Sequence, residues 1–456
     1  MKTLFGTDGI RGEAGQFPLD PKTVTQIGFS LASHLSKYGE APEILIGRDT
    51  RESGESIELA LIYGAAKAGA KCLSAGVITT PGVAYLTRAL QAAAGVVISA
   101  SHNPYQDNGI KIFAPTGQKM DDSVERLIES DVFANTGQPT SSDEGRAAIS
   151  PTLEEILRQE YLNFLSFKIG KELRLDGLMI VVDCANGASS MLAPSLFSRL
   201  GAKVIAINAS PDGRNINRNC GSLHIESLQT RVVSERADFG VAFDGDADRA
   251  LFVDNEGNFV DGDATLWVLG THLKSHGKLK DDVVVATVMS NVGLEIAFRS
   301  AGIRLVRTDV GDKYVLDELL RLNASLGGEQ SGHIILPKLS LAGDGMITTL
   351  CLLRAVRESQ KALAEMVLGF KRYPQILVNV RVREKVPFVD IPSVKAEVDE
   401  VEELLSQKGR LLLRYSGTEP LARVMIEGEN QFKIEGYAQK IAGAIEREIG
   451  AGASPS

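Results

Sequence analysis

One pattern occurs three times in this chain, and it constrains the fold more than any single motif does. Each copy has a glycine where a helix would end, followed by a short apolar segment that contains a cation. The copies are residues 68–73 (AGAKCL), 200–205 (LGAKVI) and 301–306 (AGIRLV). Another apolar segment precedes each copy, at 43–47, 178–182 and 283–288, with a helical stretch between. Strand, helix and strand in this order predict right-handed crossovers in mostly parallel sheets.

A third apolar segment follows each copy and ends in polar residues. These segments are 95–101, 239–244 and 325–329. If the three units share one topology, these polar residues occupy equivalent loops, and we expect those loops to carry the chemistry. The alternative is coincidence, because a glycine followed by a strand is common in α/β proteins.

Composition predicts where the domains begin and end. Residues 135–150 are rich in Ser, Thr, Gly and Pro, as a connector would be. We predict three similar α/β mixed-sheet domains in tandem, at 1–150, 151–255 and 256–369. The remainder, 370–456, reads as a smaller α+β domain with strands at 376–382 and around 414–419, a helix at 394–406 and a closing helix. The tail from 451 to 456 has no apolar anchor, and we predict that it is disordered.

The overall composition excludes several classes of function. With 456 residues, 44% of them hydrophobic and 23% charged, the chain can bury several cores of a globular protein. A net charge of −9 without a Lys/Arg run argues against a nucleic-acid partner. No apolar run is long enough for a signal peptide or a membrane span, so we expect a cytoplasmic protein with no membrane partner. The four scattered cysteines predict neither disulfides nor zinc binding.

The segment 95–113 (GVVISASHNPYQDNGIKIF) places a serine at the end of a predicted strand. Pro104 cannot continue an ordinary strand, so the chain must turn at Ser101. Asn108-Gly109 predicts a hairpin turn that returns Lys111 toward the serine. We therefore expect an exposed nucleophile, Ser101, that shares a small site with an ammonium group.

Two other interpretations of this segment exist. Ser, Asn and Pro are common turn formers, so the loop could be only a turn. A serine hydrolase is disfavoured, because neighbouring side chains in an extended chain point to opposite faces and His102 would not reach Ser101 as a base. The G-x-S-x-G context of such enzymes is also missing.

The segment 241–249 (VAFDGDADR) places Asp244, Asp246 and Asp248 directly after a predicted strand. Alternating carboxylates of this kind predict a site for a hard cation such as Mg²⁺, with positions left open for water or phosphate oxygens. An EF-hand is excluded, because Arg249 stands where that loop needs glycine and Asn255 where it needs glutamate. An aspartate-rich turn without metal is the alternative.

Two further loops are rich in groups that bind anions or sugars. The segment 414–423 (RYSGTEPLAR) offers guanidinium groups, hydroxyls and successive backbone amides that suit a phosphate. Its candidate ligands are Arg414, Ser416, Gly417, Thr418 and Arg423. The segment 327–333 (GGEQSGH) contains Glu329, which could accept hydrogen bonds from the hydroxyls of a sugar. Taken alone, either segment could be a plain surface loop.

Together these loops resemble those of the α-phosphohexomutase superfamily, in which four domains surround a central cleft and each contributes one loop. The resemblance covers essentially the whole chain, with loops at 99–104, 244–249, 328–333 and 414–420. It implies that Ser101 carries a phosphoryl group and that Ser101, Asp244, Asp246 and Asp248 hold one Mg²⁺. A phosphoserine of about −2 charge would otherwise meet repulsions of about 4 kcal/mol per unit pair at about 4 Å and a dielectric near 20.

The resemblance also assigns roles to the other residues. Lys111 would accept or donate the proton of a sugar hydroxyl, Arg11 and Arg249 would stabilise phosphate charge, and His102 would join them as a catalytic residue. The sugar-binding residues would be Glu329, Ser331 and His333. The loop at 414–423 would bind the phosphate that is not transferred.

The segment 5–12 (FGTDGIRG) together with Gln330 resembles the branch that acts on hexosamine phosphates. This implies interconversion of glucosamine 6-phosphate and glucosamine 1-phosphate, with a hexosamine 1,6-bisphosphate as primer and intermediate, feeding UDP-N-acetylglucosamine and cell-wall synthesis. Alternatives are a phosphomannomutase/phosphoglucomutase, a haloacid-dehalogenase-like phosphatase with Asp244 as nucleophile, and a non-catalytic sugar-phosphate binder. The expected partners are small hexosamine phosphates. A homodimer is the commonest closed assembly, although the sequence does not fix the oligomeric state.

Overall fold

The computed structural model describes residues 4–6, 8–36, 41–134, 150–416 and 419–451. The chain divides into two compact units. The larger comprises Met1–Met289 and Leu305–Leu368, and the smaller comprises Ser290–Arg304 and Gly369–Ser456. In the described part of the chain, no helix combines the length and the apolar character needed to cross a bilayer.

The first sheet of the larger unit has five strands in the order β1-β5-β4-β2-β3. Parallel pairing joins β2 to β3 and β4, and antiparallel pairing joins β5 to β4 and β1. The elements are β1 (Ile10–Glu13), α1 (Pro21–Leu35), β2 (Glu43–Arg48), α2 (Gly54–Lys67), β3 (Lys71–Val77), α3 (Thr80–Ala89), β4 (Ala94–Ile98), β5 (Asp107–Phe113) and α4 (Asp122–Ala134).

The second sheet repeats this arrangement in the order β10-β9-β8-β6-β7. Its central strands β6 and β8 pair in parallel, and β9 runs antiparallel to β8. The elements are α5 (Pro151–Asn163), β6 (Met179–Asp183), α6 (Ala193–Arg199), β7 (Lys203–Ile207), α7 (Glu226–Glu235), β8 (Phe239–Phe243), β9 (Ala250–Asp254) and β10 (Phe259–Val260).

The third sheet has the order β12-β11-β13-β14, with β11 and β13 parallel. Its elements in the larger unit are α8 (Gly262–Ser275), β11 (Val283–Thr287), β12 (Arg304–Thr308), α10 (Asp312–Leu322), β13 (Gly327–Gly328), β14 (Ile334–Ile335), α11 (Gly345–Ser359) and α12 (Leu363–Val367). The helix between β11 and β12, α9 (Val292–Ser300), belongs to the smaller unit.

The smaller unit otherwise consists of an antiparallel sheet, β15-β17-β16, covered by two helices. Its elements are β15 (Gln375–Arg381), α13 (Pro392–Leu405), β16 (Gly409–Tyr415), β17 (Leu421–Gly428) and α14 (Gln431–Ile449). Val401, Val424, Ile426 and Ile441 form part of its buried core.

These elements confirm the predicted fold class of three similar α/β mixed sheets followed by a smaller α+β unit. The predicted hairpin turn at Asn108-Gly109 is wrong, because both residues lie within β5. Gly109 pairs with Arg11 of β1, and a Cβ there would meet the carbonyl oxygens of Ile10 and Ser99 at 2.6 Å. The chain reverses instead within the loop that carries Ser101, and Lys111 still returns to β4, opposite Val97. Except for Ser150 and Ala451, the predicted connector and tail lie outside the described residues.

Candidate active site

The candidate nucleophile lies in the loop between β4 and β5. Ser101 has a left-handed backbone with φ of 52° and is 1% exposed. Its Oγ donates to Asp244 Oδ2 at 2.5 Å, and its backbone N–H donates to Ser99 Oγ at 2.9 Å. The expectation of an exposed serine is therefore wrong, because the loop after β8 contributes the aspartate that covers it.

A fully buried arginine, which the sequence did not reveal as a site residue, supports this loop. Arg51 donates to the carbonyl oxygens of Ser101 at 3.0 Å, Asn103 at 2.8 Å and Asp107 at 2.9 Å, and to Asp49 Oδ2 at 2.9 Å. These bonds use the whole guanidinium group to fix the backbone around Ser101. Arg51 could have been noticed in the sequence as one of the polar residues that directly follow the predicted strand at 43–47.

The three aspartates after β8 form one buried cluster. Asp244 and Asp246 are fully buried and Asp248 is 6% exposed. One carboxylate oxygen from each lies within 4.8 Å of the others. Asp246 Oδ1 and Asp248 Oδ1 are buried and have no hydrogen-bond partner among the described residues. Such oxygens are costly to bury unless a cation completes their coordination, so the cluster fits a hard divalent cation.

The electrostatics of the cluster agree with this interpretation. Burial, together with the neighbouring Asp248 and Asp246 carboxylates, raises the pKa of Asp244 well above its usual range. Burial opposes ionisation of Asp248 as well, but the Lys111 ammonium and His333 lower its pKa well below the usual range. Lys111 and His333 thus stabilise the ionised form of Asp248, whereas Asp244 needs further positive charge to ionise.

Lys111 joins the same cluster from β5. Its Nζ lies 3.3 Å from Asp246 Oδ2, 3.3 Å from Asp248 Oδ2 and 3.2 Å from Asp8 Oδ2. Burial alone would lower the pKa of Lys111, but these carboxylates raise it well above its usual range. The structure therefore brings Lys111 and Ser101 to one aspartate cluster and keeps the lysine as an ammonium ion.

An alternating line of charges extends from Lys111 to the predicted sugar loop, residues 327–333. Asp8 lies between Lys111 and Lys119, whose Nζ is 2.6 Å from Asp8 Oδ1 and 2.8 Å from Asp312 Oδ1. Asp312 Oδ2 in turn lies 3.7 Å from His333 Nε2. Lys119 and Asp312 gave no signal in the sequence, since they are 193 residues apart.

His102 and Arg249 lie beside Ser101. Arg249 donates from Nη1 to His102 Nδ1 at 3.2 Å, and Ser101 Oγ is also 3.2 Å from that nitrogen. The expectation that the Ser101 and His102 side chains point apart is wrong, because the left-handed backbone at Ser101 turns them together. Burial, with Arg249 and Arg11 nearby, lowers the pKa of His102 to about 4, so its ring is neutral at neutral pH. Arg11 itself pairs with Asp8 at 2.6 Å.

The predicted sugar-binding residues lie between β13 and β14. Ser331 Oγ lies 3.5 Å from Glu329 Oε2, and Glu329 Oε1 accepts from the Gly311 N–H at 3.2 Å. His333 Nδ1 is 3.6 Å from Asp248 Oδ1. Burial would lower the pKa of His333, but Asp248 and Asp312 raise it to about 9. The sugar loop and the aspartate cluster therefore share a charged contact.

A cavity of about 1070 Å³ adjoins this cluster within the larger unit. Lys111, Asp248 and His333 line it, together with Thr80 and Gly343. Its volume suits a small-molecule ligand such as a hexose phosphate.

The predicted phosphate-binding residues lie in the smaller unit. Arg414 of β16 stands directly opposite Arg423 of β17, and Arg423 Nη2 is 3.2 Å from Glu419 Oε2. Ser416 Oγ accepts from the Glu419 N–H at 3.3 Å. Like charges directly opposite each other destabilise a sheet, so this pair of guanidinium groups suits an anion. Gly417 and Thr418 lie outside the described residues.

Family models match four successive parts of the chain. They are the α/β/α domains I, II and III of phosphoglucomutase/phosphomannomutase, over residues 2–138, 159–257 and 261–373, and its C-terminal domain, over residues 377–444. The chain belongs to the phosphoglucomutase/phosphomannomutase family. It is therefore an enzyme of the isomerase class, a phosphohexomutase. The resemblance noted from the loops is confirmed.

Individual members of this family match over nearly the full length. A phosphoglucosamine mutase of Solibacter usitatus is 54% identical over 98% of this chain and 99% of its own. A phosphoglucomutase/phosphomannomutase family protein of Burkholderia thailandensis shares the fold with a TM-score of 0.79, at 22% identity over 98% of both chains. The N-acetylphosphoglucosamine mutase of Aspergillus fumigatus, in complex with GlcNAc-6P and magnesium, has a TM-score of 0.64 at 18% identity, over 98% of this chain and 96% of that one.

Proposed function

We propose that this enzyme is a phosphoglucosamine mutase that interconverts glucosamine 6-phosphate and glucosamine 1-phosphate. The reaction would proceed through a phosphorylated Ser101 and a hexosamine 1,6-bisphosphate. The name of the 54% identical relative supports the substrate. The observation that carries the chemistry is the contact of Ser101 Oγ with Asp244 inside a buried aspartate cluster.

In this mechanism phosphorylated Ser101 transfers its phosphoryl group to the free hydroxyl of the sugar monophosphate, which gives the 1,6-bisphosphate. After the bisphosphate reorients, the Ser101 hydroxyl takes the other phosphoryl group, which releases the isomeric monophosphate and restores the phosphoserine. Arg51 fixes the Ser101 carbonyl and thereby the direction of the Oγ. Asp244, Asp246 and Asp248, with an oxygen on Ser101, would hold one Mg²⁺. When bound, this ion would neutralise charge at the transferring phosphoryl group and polarise it.

Three cationic groups in the larger unit act on the substrate in this mechanism. Lys111 exchanges a proton with the sugar hydroxyl that attacks or leaves, and the carboxylates around it hold its ammonium in place. Arg249 stabilises charge on the transferred phosphate, with Arg11 in the same role. His102 is neutral and accepts from Arg249, so it orients the guanidinium group rather than acting as a base for Ser101.

The remaining predicted residues bind the parts of the substrate that do not react. Glu329, Ser331 and His333 would contact the sugar hydroxyls. Arg414 and Arg423 would bind the phosphate that is not transferred, with Ser416, Gly417 and Thr418 adding hydroxyl and amide donors. This site must bind either phosphate of the bisphosphate, because the bisphosphate reverses its orientation in the active site between the two transfers.

The substrate assignment predicts a preference for glucosamine phosphates over glucose and mannose phosphates. A site built to pair an ammonium group leaves acceptors unpaired when a hydroxyl replaces it, which costs roughly 1 to 3 kcal/mol per buried group. We expect kcat/KM to be roughly 5- to 150-fold higher for glucosamine 1-phosphate in a side-by-side assay. A higher value for mannose 1-phosphate would instead assign the chain to the phosphomannomutase branch.

A further inference from the structure

Two histidines and a glutamate far from the catalytic loops form a cluster with metal-binding chemistry. His272 lies in the last turn of α8, and His276 caps that helix four residues later. Residues four apart on a helix share a face, so both rings lie on one side. Glu358 reaches them from the last turn of α11.

The distances from Glu358 to the two histidines are close to the ligand spacing of a tetrahedral site. Glu358 Oε2 is 3.1 Å from His272 Nε2 and 3.6 Å from His276 Nε2. All three atoms lie within 4.8 Å of one another. Zinc bonds of about 2.0 to 2.1 Å in a tetrahedron place neighbouring ligand atoms about 3.3 Å apart. An ion could therefore enter with little movement of the two helices.

The ring of His276 is oriented for metal binding by its own backbone. Its Nδ1 lies 2.9 Å from the carbonyl oxygen of His272, and a carbonyl can only accept. Nδ1 therefore carries the proton, and the Nε2 lone pair faces the Glu358 carboxylate. Two electron-rich groups in this position need a proton or a metal ion between them. A backbone carbonyl on the second ring nitrogen is also the usual support of a metal-binding histidine.

This cluster lies at the opposite ends of two helices that begin at the catalytic loops. The N–H of Gly262 at the start of α8 donates to the Gln330 carbonyl at 2.9 Å, and the N–H of Gly345 at the start of α11 donates to that of Ala247 at 3.1 Å. A helix of 14 residues, such as α8, is about 20 Å long. The cluster is thus separate from the carboxylates assigned to Mg²⁺.

We propose that His272, His276 and Glu358 bind one Zn²⁺ or similar transition-metal ion that joins the ends of α8 and α11. Imidazole nitrogens suit such ions, whereas Mg²⁺ prefers oxygen ligands, so the two sites select different metals. The side chain of His276 is 41% exposed and that of Glu358 is 37% exposed, which gives an ion access from solvent. The His272 side chain, 10% exposed, anchors the site.

Calorimetric titration of the full-length protein with ZnCl₂, in excess Mg²⁺, tests this proposal. We expect one saturable site in the wild type and a rise of Tm with zinc, because the ion binds the folded state. His276→Gln and Glu358→Gln should each lower the affinity about tenfold or more without changing mutase activity. His34→Gln is the matched control, since His34 pairs with a carboxylate, Asp131, at 2.8 Å but has no second histidine beside it among the described residues.

Two results would overturn the proposal. One is the absence of saturable binding, or an affinity that both His276→Gln and Glu358→Gln leave unchanged. The other is loss of zinc binding in Asp246→Asn, with the two helix variants unaffected, which would place the ion at the catalytic aspartates.

Discussion

At the scale of single residues, the role that we propose for Ser101 depends on its neighbours and not on exposure. The hydroxyl is buried against Asp244, and Arg51 holds the carbonyl on the other side of the residue. In the proposed mechanism, these contacts hold the Ser101 hydroxyl in a fixed position for attack on a phosphoryl group. The positioning group is therefore as important as the nucleophile.

This view predicts the effect of Arg51→Lys. A lysine keeps the charge but cannot reproduce the planar set of donors that contacts Asp49 and four backbone carbonyl oxygens, those of Ser101, Asn103, Pro104 and Asp107. We expect kcat to fall at least tenfold with a smaller change in KM, and stability to fall by roughly 2 to 4 kcal/mol. Steady-state kinetics and urea unfolding measure the two effects. The control is Arg214→Lys, whose side chain is 65% exposed and pairs with Glu52; equal losses in both variants would contradict the role of Arg51.

The sequence indicated the candidate site residues more readily than the residues that hold them in place. Ser101 and the aspartates follow buried strands and form short local patterns, so both were visible in the sequence. Arg51 contacts Ser101 across 50 residues, and Lys119 contacts Asp8 across 111. Only the structure shows such pairings, because a single sequence does not indicate which charged residues far apart in the chain come into contact.

At the scale of elements, the helix α11 begins at a carboxyl group that is wholly enclosed. Asp344 Oδ1 accepts from the backbone N–H of Met346 and Ile347, and its Oδ2 accepts from the Tyr161 hydroxyl at 2.7 Å. Burial raises the pKa of Asp344 to about 6, despite these hydrogen bonds. The N-terminal cap of α11 is therefore an aspartate that binds a proton more readily in the folded protein than an exposed aspartate does.

This pKa predicts a pH-dependent effect of Asp344→Asn. The pKa of Asp344 in the unfolded chain is about 3.9, so the folded state binds the proton more tightly. The stabilisation is complete below about pH 4 and is lost as pH rises through about 6. Between about pH 7 and 5, the wild type should therefore gain about 1 kcal/mol relative to Asp344→Asn, which keeps the capping oxygen but does not titrate. Urea midpoints of both proteins across this range measure the gain, and parallel curves would contradict it.

The elements themselves were largely predictable, because each repeat combines apolar strands with a glycine at a helix end. The exception was the turn at Asn108-Gly109. Its residues favour a hairpin locally, but pairing with β1 and close backbone contact at Gly109 keep them in a strand. Tertiary packing overrode the local preference there.

At the scale of the whole molecule, the proposed mechanism requires a site that can bind either phosphate of the bisphosphate. We assign this site to Arg414 and Arg423, which stand opposite each other in the smaller unit. Arg414→Lys should raise KM roughly tenfold, because a lysine offers one charged contact where a guanidinium can make two. It should also release more free bisphosphate during turnover.

The control for this variant is Arg383→Lys in the same unit, whose side chain is 55% exposed and pairs with Glu384. It should behave like the wild type. Unchanged kinetics and no added release of bisphosphate in Arg414→Lys would leave the loop as a structural turn and place the phosphate site elsewhere.

The phosphorylation state of Ser101 tests the central claim most directly. Intact-mass analysis and peptide mapping should find an acid-stable phosphate on Ser101 in part of the protein isolated from cells, and none on Ser101→Ala. When glucosamine 6-phosphate and Mg²⁺ are added, the phosphate should leave Ser101 as an equal amount of bisphosphate appears. A wild type that never carries phosphate on Ser101, together with a Ser101→Ala variant that still turns over, would contradict the account.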